Sequence, residues 1–310
     1  MIAQEPFGAP IVSGLGASAT AEAARSVAAV VVNWNGGDTV ARCVRSLVEH
    51  PPSVPMEVCV VDNASSDGSA ARVGEEFPAV RVIANARNLG LAAANNQGIL
   101  ASNAPYVLIS NPDVLYPAGA VDALVELLER RPRAAFAVAR LRDPDGTLQT
   151  GAGDLPTLRE ALVGRRFARQ GTRGERAGFW WHGWSHDDEM PIGHGGEACY
   201  LVRRRAIDEV GLQDGRFVLD WEGVDWSARV RDAGWEIWFC PQAEVVHLGG
   251  VSLRQVKYRW VVSSHRGMYR YFSKRMPRAA RPFVASAIAT RAAAKLAVSA
   301  VDRRVYDRAH

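Results

Sequence analysis

The chain has 310 residues, 48% hydrophobic and 23% charged, with a mean hydropathy of −0.09. These values exclude disordered, collagen-like and disulfide-scaffold classes and leave material for one large core or two modest ones. The net charge of +4 hides an asymmetry. Residues 254–310 carry 14 Lys/Arg against two acids, which leaves 23 against 31 in residues 1–253, so the basic tail is expected to meet an anionic surface: membrane, nucleic acid or a phosphorylated ligand.

Residues 1–26, rich in Ala, Gly and Ser, read as a flexible N-terminal arm. Order is expected from Val27–Trp34, whose Val/Ala run suits a strand buried on both faces. Val40, Cys43, Val44 and Leu47 then recur at helical spacing. Met56–Val61 predicts a second strand, about Asp67 to Phe77 a helix, Val80–Ala84 a strand, about Ala92 to Ala101 a helix, and Tyr106–Ser110 a strand. Pro117 is expected to open a helix with Val121, Leu124, Val125 and Leu128 on one face. From Arg142 to Gly195 the pattern breaks down around Trp180, Trp181 and Trp184, which predicts an irregular insert. A β/α pattern returns at Ala198–Arg203, runs through Phe217–Trp226 and ends near Trp235–His247.

Alternating strands and helices imply an α/β class with a mainly parallel, Rossmann-like sheet flanked by helices. Ligands of such sheets bind beyond the carboxyl ends of the strands, so the polar residues there are the first candidates: Asn33, Asn35, Asp62, Asn63, Asn111 and Asp113. Asp62 closes a buried strand and can accept N–H bonds from a nucleobase. Asn88 and Gly90 offer an amide and a close backbone approach to a sugar or phosphate. Asp113, after Pro112, can ligate a hard divalent cation that also takes diphosphate oxygens. Helix capping by Asp67 and a turn at Asn111-Pro112-Asp113 explain these residues singly; in this order they point to nucleotide-diphosphate binding.

The four cysteines lack CxxC spacing and read as buried thiols of a reducing compartment. No secretory signal is visible, and the longest uncharged stretch, Asn88–Pro112, holds five Asn, two Gly and two Pro, which rules it out as a membrane span.

The strand Val31-Val32-Asn33-Trp34-Asn35-Gly36, the Asp62 and Asn88-Leu89-Gly90 motifs, and Asn111-Pro112-Asp113 together resemble the inverting family-2 glycosyltransferases of GT-A fold, the rhamnosyltransferase branch above all. The likeness continues through Gly196-Glu197-Ala198, Val210-Gly211, Phe217–Asp225, Pro241, His247, Gly250 and Ser252, covering about residues 27–252. It implies a GT-A domain at 27–252 with an acceptor-side insert at about 142–195, then a basic helical membrane-associating segment at 253–310. The activity implied is transfer of L-rhamnose from dTDP-L-rhamnose to polyprenyl-diphosphate-linked N-acetylglucosamine in cell-wall (arabinogalactan linker) biosynthesis. Mg²⁺ or Mn²⁺ is the implied cofactor, and the cytoplasmic face of the cell membrane the implied location.

By the resemblance, Asn33, Asn35, Asp62, Asn88, Gly90 and Asn111 bind the donor nucleotide, while Asp113 stands at the metal motif with His247 as its partner. The family's usual Glu-Asp-x-Asp segment supplies the catalytic base from its second acid, but Gly223 stands there. Glu222, Asp225 and Asp220 are the remaining acids; Glu222 is preferred for adjacency and reach, the alternative being a structural pair with Arg229 or Arg231. Trp180, Trp181, Trp184 and Arg266 are assigned to the acceptor and its diphosphate, the tryptophans otherwise packing the insert onto the core. His182 and His186 lack the Glu of a zincin motif and are not read as a zinc site. The tail interleaves Arg and Lys with Tyr258, Trp260, Tyr269, Tyr271 and Phe272, which suits an anionic bilayer surface better than nucleic acid. Arg291 and Lys295 interrupt the apolar run Phe283–Val301, so it is expected to lie on the bilayer.

Overall fold

The computed structural model describes residues 25–163, 178–181, 184–195, 198–249 and 257–309. The N-terminal arm up to Ala24, His182, Gly183, Gly196, Glu197, Gly250 and Ser252 lie outside the described residues.

The first half alternates as its periodicities predict: β1 (Val27–Asn33), α1 (Asp38–Glu49), β2 (Met56–Asp62), α2 (Ser69–Glu76), β3 (Arg81–Ala84), α3 (Leu91–Leu100) and β4 (Tyr106–Ser110). Next come β5 (Val114–Leu115), α4 (Ala120–Arg130), β6 (Ala134–Arg142), β7 (Ala152–Gly153), α5 (Leu158–Val163), β8 (Met190–Pro191) and β9 (His194–Gly195). The chain closes with β10 (Cys199–Arg203), α6 (Arg204–Val210), α7 (Glu222–Asp232), β11 (Glu236–His247), α8 (Lys257–Ser273) and α9 (Arg281–Ala309).

Nine strands form one sheet in the order β3-β2-β1-β4-β10-β6-β11-β5, with β8 added beside β11. β3, β2, β1 and β4 are mutually parallel, as are β6 and β11, while β10 runs antiparallel between β4 and β6. Alternation along β1 explains how helices cover both faces. Val27, Ala29 and Val31 pack with Val40, Cys43, Val44 and Leu47 of α1, and Val30 and Val32 share the other face with Ile109, Phe136, Val138 and Trp226. A third cluster joins Phe217, Trp221 and Val224 to Met268, Tyr271 and Phe272 of α8 and to Val284 and Ile288 of α9, so the C-terminal helices share core with the sheet domain. All four cysteines are buried free thiols, and burial pushes Cys43 and Cys199 up to about 12.

Two expectations are corrected. The helix expected at Pro117 begins at Ala120, because Pro117 and Ala118 form a turn (Ala120 N–H to Pro117 O, 3.2 Å) that ends on Gly119 at φ 82°. The insert is not irregular throughout. β6 runs to Arg142, a hairpin closes from Asp143 to Thr147, and the short strands β7 and β9 pair.

Three buried imidazoles pin the later elements. His186 receives the Gly151 N–H and its Nδ1–H donates to Trp184 O (2.7 Å); His194 bonds Phe179 O (2.7 Å). His265 of α8 donates through Nδ1 to Val261 O and accepts from Arg291 of α9 at 2.8 Å. Burial lowers the pKa of all three, that of His194 to about 4. Each folded value lies below the unfolded 6.5, so the unfolded chain binds more protons in that window and stability falls as pH drops from 6.5 toward 4. His194 alone is expected to cost about 2 kcal/mol at pH 5, a melting-temperature loss of about 5 °C relative to pH 7.5. Thermal unfolding followed by circular dichroism at both pH values checks this; a flat profile excludes it.

Candidate active site

The carboxyl ends of β1, β2 and β3 lie in register, Asn33 beside Asp62 and Asp62 beside Ala84. Asn33, fully buried, spends its amide inside the protein: Nδ2 donates to Asp62 Oδ1 (2.9 Å), Ser69 Oγ (2.8 Å) and Ser65 Oγ (3.1 Å), and Oδ1 receives the Gly36 N–H. Asp62 also accepts from the Ser65 N–H (3.0 Å) and Ser65 Oγ (2.5 Å). Asn35, at φ 48°, accepts the Ser66 N–H (2.8 Å). This trio braces the loop after β1 against the loop after β2.

Asn63 performs the same service for the next loop. Its Oδ1 accepts the Leu89 N–H (2.9 Å), and its Nδ2 donates to Asn88 Oδ1 (3.0 Å) and Gly90 O (3.3 Å). The close approach read at Gly90 is real, but its partner is protein. At φ 88°, a Cβ there would stand 2.8 Å from Val218 Cα, because Leu91 N–H donates to Val218 O (2.8 Å).

Asp113 and His247 meet where β5 pairs with the end of β11: His247 Nε2 lies 3.3 Å from Asp113 Oδ1. The Gln149 Nε2 donates to His247 O (2.9 Å) and Asp143 Oδ1 (2.7 Å), so its Oε1 is left to accept from His247 Nδ1 (2.8 Å). That bond protonates Nδ1 and leaves the Nε2 lone pair facing the Asp113 carboxylate. Two acceptors so close need a proton or a cation between them, and an imidazole oriented through its far nitrogen beside a carboxylate suits a divalent metal. Among the described residues no third His, Cys, Asp or Glu joins them, so diphosphate or water oxygens would complete the ligand set.

A cleft of about 1010 Å³ opens over this edge. Its sheet side carries Trp34, Asn63, Asn88, Asn111, Asp113 and His247; its other wall is the 216–219 loop with Arg259, Trp260, Ser263, Arg266 and Arg270 of α8. One carboxylate, Asp113, and three amides thus face arginines across a cavity large enough for a nucleotide sugar.

Beside the cleft, Asp220 (φ 66°) and Trp221 (φ 73°) are consecutive left-handed residues that turn the chain into α7, a strained arrangement held because Trp221 stacks on Phe179 and packs on Tyr271 and Phe272. Asp220 is half-buried next to Leu219, which lines the cleft. Glu222 is buried, with both carboxylate oxygens shut off from solvent. Arg229, weighed as its partner, instead pairs with Asp225 (3.1 Å), whose carboxylate also takes Lys274 Nζ (2.8 Å) and Arg275 Nη1 (3.4 Å). Lys274 reaches Asp214 as well (2.7 Å); Arg216 beside Asp214 holds its carboxyl far below the usual range, despite the opposing effect of burial. Asp225 is therefore the buried rivet between α7 and α8. Asp225→Asn would leave Arg229 and Arg275 uncompensated, Lys274 keeping Asp214, and is expected to cost about 3–5 kcal/mol; a urea midpoint shift equivalent to under 1 kcal/mol would refute that role.

Residues 28–189 match the family model described as Glycosyl transferase family 2. The chain belongs to glycosyl transferase family 2. It is 30% identical over 265 residues, 79% of this chain and 83% of the relative, to the N-acetylglucosaminyl-diphospho-decaprenol L-rhamnosyltransferase of Mycobacterium tuberculosis, strains CDC 1551 and H37Rv alike. The GT-A fold is shared with a mannosyltransferase from Pyrobaculum calidifontis solved with GDP-Man and Mn²⁺ (TM-score 0.52, 17% identity, 89% of this chain and 79% of that one). It is also shared with GalNAc-T7 solved with UDP, GalNAc and Mn²⁺ (TM-score 0.54, 17% identity, 73% of this chain), of which this chain spans only 44%.

In this family-2 glycosyltransferase the cleft gathers Asn88, Asn111, Asp113, His247 and Arg266 from the sequence-predicted set. Asn33, Asn35, Asp62 and Gly90 do not line it; they hold the loops that do. Trp181 and Trp184 are buried. Trp181 bonds Asp154 (3.0 Å) and Trp184 stacks on His186 and meets Phe239, so these two take the packing alternative. Trp180 packs edge-on against His194, outside the cleft. The aromatics that do line it, Trp34 and Trp260, were not assigned to the site from sequence, nor was Arg216 or Gln149. Trp34 had a signal, standing one residue past Asn33 at a strand end.

Proposed function

We propose that this glycosyltransferase moves L-rhamnose from dTDP-L-rhamnose to polyprenyl-diphosphate-linked N-acetylglucosamine with inversion, at the cytoplasmic face of the cell membrane. The observation that carries the reading is the cleft itself, with the Asp113–His247 pair on one wall and Arg216, Arg259, Arg266 and Arg270 on the other. The acceptor named for the mycobacterial relative, 83% of whose length the match covers, supports the lipid-diphosphate part.

In this reading Asn88 and Asn111 orient the donor, and the arginine wall offsets the negative charge of the diphosphates. Mg²⁺ or Mn²⁺ held by Asp113 and His247 would supply Lewis-acid stabilisation of charge developing on the leaving group. The acceptor hydroxyl attacks the anomeric carbon from the face opposite the dTDP, the bond from that carbon to the diphosphate oxygen breaks so that dTDP leaves with the electron pair, and the hydroxyl proton goes to an acid of the 220–225 segment. Asp220 is the acid there whose side chain is not buried, and we assign it the base. No helix among the described residues is long and apolar enough to cross a membrane. Contact with the bilayer falls to α9, where Phe283 and Val298 are 78% and 61% exposed.

The test is a panel of nucleotide sugars offered with synthetic polyprenyl-diphosphate N-acetylglucosamine and Mg²⁺, with the product linkage determined by NMR. Transfer from dTDP-L-rhamnose with inverted anomeric configuration is expected. Transfer only from a UDP-sugar overturns the donor assignment, and no transfer from any donor turns the reading to a nucleotide-sugar or lipid-binding scaffold.

A further inference from the structure

A second cavity, about 460 Å³, lies between α8 and α9. It shares Arg216, Val262, Arg266 and Arg270 with the main cleft, so the two spaces meet along the arginine wall. Beyond that junction its character changes. The α9 side is Ala285, Ile288, Ala289 and Ala292, small or apolar residues that leave a groove, while His265, Tyr269 and Ser273 of α8, with Lys274 just past its end, form the opposite side. None of the metal-pair or donor-side residues reaches it.

The charge at the junction is directional. Arg216 is committed to Asp214, and Arg270 bonds Arg216 O while lying over the Phe217 ring at 5.6 Å. Lys274 is shared between Asp214 and Asp225. Arg266, which lines both cavities, makes no ion pair or hydrogen bond among the described residues. A guanidinium without an internal acceptor, set where a polar cleft becomes an apolar groove, suits an amphiphile with an anionic head and a hydrocarbon tail. A donor nucleotide would satisfy the charge and leave the groove unexplained.

We infer that the groove between α8 and α9 holds the first isoprene units of a polyprenyl-diphosphate acceptor, with Arg266 on its diphosphate. This orients the acceptor sugar into the main cleft and sends the rest of the chain along α9, toward the surface that exposes Phe283 and Val298. The inference rests on the lipid-diphosphate part of the proposed function and extends it to a specific subsite.

Two measurements test it. The first compares kcat/KM for N-acetylglucosamine diphosphate esterified to a long polyprenyl chain or to methyl. The wild type is expected to favour the long chain at least tenfold, and Ala289→Trp or Ala292→Trp, each filling the groove, to abolish most of that preference. A wild-type preference under twofold, or one that survives both variants, overturns the groove while leaving the transfer activity standing. The second needs no turnover: a farnesyl diphosphate analogue with a terminal benzophenone is photolysed on the intact protein. Labelling of the 285–292 segment, competed by polyprenyl diphosphate and not by dTDP, is expected, and it should fall at least fivefold in Arg266→Gln. Labelling elsewhere, or competition by dTDP alone, overturns the subsite. If no acceptor is used with any donor, the proposed function fails and the cross-link still decides the groove.

Discussion

Asp113→Asn is expected to lower kcat/KM by about three orders of magnitude, the scale of losing a principal electrostatic stabiliser of a leaving group, with melting temperature little changed. The reason is local. Asp113 Oδ1 is the carboxylate oxygen set 3.3 Å from His247 Nε2, and the amide of Asn at that place brings no negative charge. His247→Gln should follow closely, since it removes the lone pair that Gln149 directs at the same point. Gln149→Leu makes the more informative variant: it touches neither cleft nor ligand, yet it frees the imidazole to rotate and should cost about 10–100-fold in metal affinity or activity. Titrating activity against Mn²⁺ separates the cases. Added Mn²⁺ should restore Gln149→Leu largely and Asp113→Asn not at all. Near-normal turnover of Asp113→Asn at limiting Mn²⁺ would dismiss the pair as a metal site.

The contrast between Asp113 and Gln149 also marks how far the sequence carries. β1, α1, β2 and β4 were legible because each buries a continuous run or a helical stripe, and periodicity is local information. The carboxyl-edge residues were legible as a group, since any residue ending a buried strand emerges at that edge. Their roles within the group were not. That Asn33 and Asp62 bond each other, with Ser69 on the one and Ser65 on the other, follows from the register of β1 with β2 and the course of the loop after β2. The need for glycine at position 90 comes from Val218, 128 positions away in the chain, and the tautomer of His247 from Gln149, 98 away. No spacing rule encodes such pairs; only the finished topology does. The basic tail reads as a charge pattern in the sequence, and the structure resolves it into two uses: Lys274 and Arg275, just past the end of α8, turn inward onto Asp225, while Arg259, Arg266 and Arg270 of α8 line the cleft.

Asp220→Asn is expected to lower kcat by about 10²–10⁴-fold while donor affinity stays within twofold, the range of a lost general base. The prediction follows from access. A base must reach the acceptor hydroxyl, and of the three acids near the absent family carboxylate at Gly223, two are turned away from it. Asp225 is bound by three cations inside the protein, and the Glu222 oxygens are sealed beneath the start of α7. Asp220 stands in a left-handed conformation that an aspartate adopts only at a cost, between cleft-lining Leu219 and the packed Trp221. Restoring an ordinary backbone there would move the carboxylate, so the strain has a use if that carboxylate acts. Glu222→Gln, which preserves shape, should cost less than tenfold. The pair is decisive when kcat is read beside melting temperature and donor affinity by calorimetry. A larger loss in Glu222→Gln than in Asp220→Asn, with both proteins equally stable, would return the base to Glu222 and require that the start of α7 opens when the acceptor binds.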